Sequence, residues 1–135
     1  MPAPIANLDQ LLRSLEPVLN DGTWVFASLP PGTDWKGLEP LASVREAEGI
    51  TVVVSEEAAV QYGLHILYRA AWITLTVHSD LQAVGLTAAF AGALAQANLS
   101  CNIVAGACHD HLFVPVDAAQ RAMAVLRRLQ RRGSA

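Results

Sequence analysis

The stretch that decides the fold is WITLTVHSDLQAVGLTAAFAGALAQANLSCNIVAGACHDHLFVP, residues 72–115. It opens within a run of Trp, Ile, Thr, Val and Leu, which predicts a long strand over residues 67–78. Ser79-Asp80 then has the composition of a helix cap, and apolar residues at helical spacing continue to about Asn98. This part of the chain is therefore predicted to be a strand followed by a helix.

Two shorter apolar runs follow that helix, at residues 101–107 and 111–116. Cys108-His109-Asp110 lies between them as the expected turn, so we predict an antiparallel hairpin. Asp117 is a suitable cap for a final helix with an apolar stripe. The order strand, helix, strand, strand, helix is that of a ferredoxin-like unit, an α+β fold with helices on one face of an antiparallel sheet.

The first half of the chain predicts a degenerate version of the same order. The elements expected there are a helix over residues 5–16 ended by Pro17, a strand over 23–29, an irregular crossover over 30–40, a hairpin of 42–48 with 50–54, and a short helix from Ser55 to Tyr62. We therefore expect two tandem units, with residues 1–66 holding the N-terminal helix and the degenerate unit, and residues 67–135 the second.

Composition places this 135-residue chain among cytoplasmic globular proteins. It is 53% hydrophobic, enough for a sizeable core, yet no apolar stretch approaches the roughly 20 residues of a membrane-spanning helix. The N-terminus lacks the pattern of a secretion signal, so Cys101 and Cys108 are expected to be free thiols. Glycine-rich phosphate loops are absent, and no cofactor is expected.

Charge is distributed unevenly along the sequence. The net charge is -3, but five of the nine basic residues fall near the C-terminus, at Arg121, Arg127, Arg128, Arg131 and Arg132. Such a cluster suits phosphate binding or a solvated helix end that complements the helix dipole. The tail has no aromatic residues for base stacking, so we favour the solvated helix and expect no nucleic-acid partner.

Residues 72–115 resemble the small bacterial proteins built from paired ACT-like domains. The phrases AVGLTA, SCNIVAG and HDHLFVP carry the resemblance, and VREAEGITVVV upstream matches the first unit of the same family. It extends from about residue 10 to residue 130. The resemblance implies a ferredoxin-like ACT fold, related to the regulatory domains of aspartate kinases and to ACT-repeat arginine sensors, in which amino acids bind between adjacent units.

The resemblance also implies where a ligand would bind. In the relatives, contacts come from the loop after the first strand and from the start of the second strand. Those positions are 79–86 and 101–104 in this chain, and the residues we expect to bind ligand are Ser79, Asp80, Val84, Gly85, Leu86, Asn102, Ile103, Val104, His109 and Asp110. Relatives tend to have a second serine where this chain has Asp80, and a carboxylate there favours a cationic ligand or improves the cap.

The triplet His109-Asp110-His111 admits several interpretations. Two imidazoles and a carboxylate are ligand types for zinc, yet a site needs one or two further ligands, such as Cys108 or His78. A hydrogen-bonded turn is the commoner role for such a triplet, and ligand recognition is a third. The adjacency of Cys108 and His109 is weak support for a catalytic dyad, because neighbouring strand residues point to opposite faces.

These features favour a regulatory module without catalytic activity that binds a small molecule, expected to be an amino acid. Glu46 or Glu48 would then be solvated, or would form an acidic lining for the ligand's amino group. The alternatives are a protein-interaction module without ligand and a metal-dependent enzyme using His109 and His111. Because open sheet edges often pair across a two-fold axis, we also expect a homodimer.

Overall fold

The computed structural model describes residues 8–76 and 85–133. They form seven strands and four α-helices, with short 3-10 helices at Lys36–Leu38 and Val116–Ala118. In chain order the elements are α1 Leu8–Ser14, β1 Pro17–Leu19, β2 Trp24–Leu29, β3 Ala42–Glu46, β4 Gly49–Ser55, α2 Glu56–Gln61, β5 Tyr68–Leu75, α3 Leu86–Gln96, β6 Asn102–Ala105, β7 Asp110–Pro115 and α4 Ala119–Gly133.

All seven strands belong to one antiparallel sheet, in the order β3-β4-β2-β5-β7-β6 with β1 also paired to β5. The set β3-β4-β2-β5 and the set β1-β5-β7-β6 each have the strand order of a ferredoxin-like unit. The predicted α+β architecture of two ferredoxin-like units is therefore confirmed.

Strand β5 is shared by the two units. Its first half, Tyr68–Ala70, pairs with β2, and its second half, Ile73–Leu75, pairs with β1 on the same side. Between β1 and β2 the chain bulges away from β5, and the Asn20 N–H donates to the Trp72 carbonyl at 2.9 Å. The two units are therefore continuous through the sheet rather than joined by a linker.

The helices cover one face of the sheet and bury two apolar cores. The larger core packs α1, α3 and α4 against β5 and β7, and includes the fully buried Leu11, Phe90 and Leu126. The smaller core packs α2 and the first 3-10 helix against β2 and β4. The N-terminal helix thus packs on the second unit's core, although it precedes the first unit in sequence. The predicted boundary between the two units at residue 66 stays a prediction.

Of the predicted helix caps, the structure confirms the one at Ser55. Ser55 is the N-cap of α2, and its Oγ accepts a hydrogen bond from the Ala58 N–H at 3.2 Å. Gly85 occupies the N-cap position of α3, and Ser79 and Asp80, which were predicted to cap this helix, lie outside the described residues. Asp117 lies inside a 3-10 helix instead of directly capping α4.

Gly49, at the start of β4, is required by a close backbone approach. A Cβ atom there would lie 2.1 Å from the Leu29 carbonyl oxygen, so Gly49→Ala should lower the free energy of unfolding by at least about 2 kcal/mol. Gly92, inside α3, has open space around it, so Gly92→Ala should raise stability by about 0.5–1 kcal/mol. Chemical denaturation measures both, and equal effects of the two substitutions would contradict this packing.

Candidate ligand-binding site

The N-terminus of α3 begins at a glycine with a left-handed backbone. Gly85 has φ 102°, and its carbonyl oxygen accepts a hydrogen bond from the Ala89 N–H at 2.9 Å. The N–H groups of the first turn, which precede Ala89, therefore have no partner within the helix. A Cβ at Gly85 would lie 3.4 Å from Leu8 Cδ2, so α1 packs closely against this helix start. Glycine is favoured here by the conformation, since a Cβ would make only ordinary contacts with Leu8.

Leu86 follows directly and has a packing role. Its side chain is buried in the core shared by α1, α3 and α4. Only its backbone N–H therefore remains as a candidate ligand contact. Ser79, Asp80 and Val84 lie outside the described residues.

The β6–β7 hairpin carries the other predicted ligand residues, and its register places them on two faces. Asn102 pairs with Phe113, and Val104 with His111. Asn102 and Val104 are exposed on the face without helices, and the same alternation puts Ile103 and Asp110 on the helix side. A single ligand on one face would thus contact only part of the predicted set.

The hairpin ends in a tight turn, residues 106–109. The Gly106 N–H donates to the His109 carbonyl at 2.9 Å, and a Cβ at Gly106 would come within 3.3 Å of His111 Nε2. His109 Nδ1 is buried and has no hydrogen-bond partner among the described residues. The turn lies earlier than predicted, because only His109 of the triplet belongs to it and Asp110 and His111 are already in β7. His109 retains one unused polar atom.

A polar network lies beside this turn, on the face of the sheet that no helix covers. The Asn20 amide donates to Thr74 Oγ1 at 2.9 Å and to the Trp72 carbonyl at 3.2 Å, while Trp72 Nε1 donates to His111 Nδ1 at 3.2 Å. Thr74 Oγ1 is 3.3 Å from the same His111 nitrogen. Because an indole N–H can only donate, His111 Nδ1 must be unprotonated.

Burial and charge shift two acid–base groups in this region. Burial lowers the pKa of His111 below its usual value of 6.5, and His109 lowers it further, while Asp110 opposes the shift. Burial raises the pKa of Asp110 above its usual range, against the pull of His111. The neutral imidazole that the hydrogen bonds require is therefore also favoured by its surroundings.

Sequence reasoning missed this network because its members are far apart in the chain. The sequence predicts Trp72 and Thr74 only as members of a β-forming run. The sequence did contain one signal, because Thr74 places a hydroxyl in an otherwise apolar strand. A buried hydroxyl in a central strand must find a hydrogen-bond partner. Asn20 lies between the predicted first helix and first strand, in no predicted element.

Neither metal binding nor thiol chemistry gains support from the geometry. Over residues 8–76 and 85–133, no three His, Cys, Asp or Glu side chains gather closely enough to hold an ion. Both cysteines are free; Cys108 is exposed, and burial raises the pKa of Cys101 to about 11. The Cys101 thiol is therefore a poor nucleophile at neutral pH.

The other charged candidates lie away from the hairpin. Glu46 accepts a hydrogen bond from the Thr51 hydroxyl on β3–β4, at the opposite edge of the sheet from β6, and Glu48 is exposed in a turn. Arg121 donates to the Ala97 carbonyl at the end of α3, at 2.9 Å. That bond gives Arg121 a structural role, since it satisfies a helix-end carbonyl.

Two family models, both described as ACT domain, match the chain at residues 3–71 and 68–128. The chain belongs to the ACT domain family. The two matches overlap at residues 68–71, where β5 passes from one unit to the other. The family of regulatory, ligand-binding modules that the sequence resembles is thus confirmed.

Solved structures share this architecture. A protein of unknown function from Vibrio cholerae, titled a possible transport protein, is 45% identical with a TM-score of 0.84, covering 91% of this chain and 95% of its own. The regulatory subunit of aspartate kinase from Thermus flavus has 10% identity and a TM-score of 0.59, covering 84% and 95%. Clostridium acetobutylicum aspartate kinase has 9% identity and a TM-score of 0.61, covering 84% and 34%.

At these low identities the two aspartate kinase structures establish likeness of fold alone. No curated protein matches the sequence. Within the described part of the chain, no helix is both long and apolar enough to cross a membrane.

The lowered pKa of His111 predicts a pH dependence of stability. The folded protein binds fewer protons at this site than the unfolded chain, so the stabilisation is fully present above about pH 6.5 and is lost as the pH falls toward the lower folded pKa. We expect His111→Gln to flatten the fall in melting temperature below that pH. His65→Gln, at an exposed histidine, is the control, and an equal flattening in both variants would contradict the assignment.

Proposed function

We propose that this protein is a regulatory module, without catalytic activity of its own, that binds a small metabolite, expected to be an amino acid. The observation that carries the proposal is that the start of α3 and the β6–β7 turn lie at the same end of the sheet. Asp110, which opens β7, pairs with Leu75 at the end of β5, and Gly85 begins the helix that returns along the sheet.

The backbone N–H groups around Val84, Gly85 and Leu86 are proposed to bind the ligand's carboxylate. Free first-turn N–H groups and the helix dipole both favour an anion at this position. Asp110, on the helix side of the hairpin, is placed to pair with an ammonium group. This pairing would lower the raised pKa of Asp110, because a nearby cation favours the carboxylate.

The remaining residues expected to bind ligand act from other positions in this proposal. Ser79 and Asp80 belong to the connection between β5 and α3, and would contact the ligand's side chain. Asn102, Val104 and His109 are on the helix-free side of the hairpin, where His109 Nδ1 is unpartnered among the described residues. They would contact a ligand that reaches around the end of the sheet, with Ile103 contributing backbone groups.

The signal would pass to a partner protein or through self-association, and we propose a cytoplasmic homodimer without membrane or nucleic-acid partners. The uncharged β6 edge and the charged β3 edge, which carries Arg45 and Glu46, differ in their suitability for strand pairing. An interaction module whose site is filled by side chains is the alternative.

A thermal-shift screen against the twenty amino acids tests the proposed function. An amino acid that binds the folded state should raise the melting temperature by mass action, and Asp110→Asn and Asn102→Ala should each reduce that rise. Ser43→Ala, at an exposed residue of β3, is the matched control and should leave the rise unchanged.

The two site variants also separate the faces of the hairpin. Loss of the response in Asp110→Asn alone would assign the ligand to the helix side, and loss in both would extend the site around the sheet end. A flat response of the wild type to every amino acid would contradict amino-acid binding and favour the interaction module.

A further inference from the structure

The face of the sheet opposite the helices is unusually aromatic. It carries five of the protein's eight aromatic residues, namely Trp24, Phe26, Tyr68, Trp72 and Phe113. Their rings contact one another edge to face across β2, β5 and β7, with centroids 5.2–5.7 Å apart for Trp24–Trp72, Phe26–Phe113 and Phe26–Tyr68. Among the described residues, no helix contributes to this cluster.

We call this surface the helix-free face; it consists of the outward residues of all seven strands. Strand alternation and register place one formally charged residue of the described strands on it, Glu46, at the corner where β3 ends. The arginines of α4 lie on the helix side of the molecule. Depletion of charge together with enrichment of Trp, Tyr and Phe is the composition of a protein interface core.

Three valines around the aromatic cluster are exposed on the same face. Val18 on β1, Val44 on β3 and Val104 on β6 are 46%, 57% and 37% exposed. Their pairing partners, Thr74, Thr51 and His111, fix their orientation. Contiguous apolar surface of this kind marks interaction sites.

We propose that the helix-free face is a self-association surface, on which a second copy of the chain packs sheet against sheet about a two-fold axis. The sheet is six strands wide, because β1 and β2 both pair with β5 on the same side. With strands about 4.8 Å apart and about six residues long, at about 3.3 Å per residue, the area of the face is about 600 Å² per copy. Two copies together bury about 1,200 Å², which reaches the lower end of specific, stable interfaces.

The polar groups on this face permit its dehydration. The Trp72 indole, the Thr74 hydroxyl and the Asn20 amide bond to one another or to His111 within the same chain. Burying a polar group costs free energy mainly when it loses its partner, and these groups keep theirs. A second copy can therefore cover this central part of the face without matching donors and acceptors, whereas Asn102, exposed on β6, would need a partner across the interface.

A second copy fits better than a charged partner. Aromatic sheet faces can bind single-stranded nucleic acid, but such binding needs Lys or Arg to neutralise phosphates, and the strands supply none on this face. An identical face introduces one formally charged strand residue, Glu46, which lies at a corner of the sheet, so little charge would lose its hydration. This inference rests on the homodimer of the proposed function and deepens it by naming the interface, and it requires no ligand.

Sedimentation equilibrium of Val18→Lys and Val44→Lys variants tests the proposal, and neither valine is a proposed ligand contact. Both valines are exposed, so the monomer should keep its circular dichroism spectrum and melting behaviour at low concentration. Each substitution buries two lysines at the two-fold interface, and dimerisation should weaken by about a hundredfold or more. Val60→Lys is the matched control, at a 70% exposed valine on α2, and should dimerise like the wild type.

Several results would overturn the proposal. A wild type that remains monomeric at high concentration would do so, as would a dimer that both face variants retain. Equal weakening in Val60→Lys, or a monomeric wild type that binds single-stranded RNA, would have the same force. A monomeric wild type would also remove the homodimer from the proposed function. The response to amino acids is measured separately and does not depend on these outcomes, so ligand binding and the interface fail separately.

Discussion

The pairing of β5 with both β1 and β2 is the constraint on which the rest of the structure depends. Strand β1 has three residues and β5 has eight, so β1 has little stability alone and the two units use halves of one strand. Since β1 must reach the second half of β5, the helix before it is carried onto the second unit's core. Leu11 and Leu15 are fully buried there. The two units are therefore expected to fold and unfold as one cooperative body.

Signals that act within a few residues were the predictable part of the fold. The Ser55 cap, the hairpin at Gly49 and the hairpin after α3 follow from turn chemistry and alternation, and the structure has all three. Strand β1 was missed because Pro17 reads as the stop of a helix, whereas here it also opens a strand. A three-residue strand stabilised only by a partner far along the chain leaves no local pattern.

The candidate site, like the fold, was predictable from the sequence only in part. Its location at a strand-to-helix connection followed from the family resemblance, but the face of each residue depends on register, which sequence alone did not supply. Pairing of Val104 with His111, and of Ala105 with Asp110, puts Asn102 and Asp110 on opposite faces. The network of Asn20, Trp72, Thr74 and His111 forms only through the bulge between β1 and β2. The same bulge lies where the two units meet, so the network lies at that junction as well. A ligand bound at the end of the hairpin would have to affect this junction.

The shared strand makes the most direct test one of cooperativity. Native-state hydrogen exchange of Val52–Val54 in β4 and Leu112–Val114 in β7 reports on the two units separately, because these strands lie on opposite sides of β5. If β5 unites the units, both groups of amides should open with the same free energy and the same dependence on denaturant. Exchange of one group through an opening of lower free energy, with the other still protected, would show that the units unfold independently and would contradict the account.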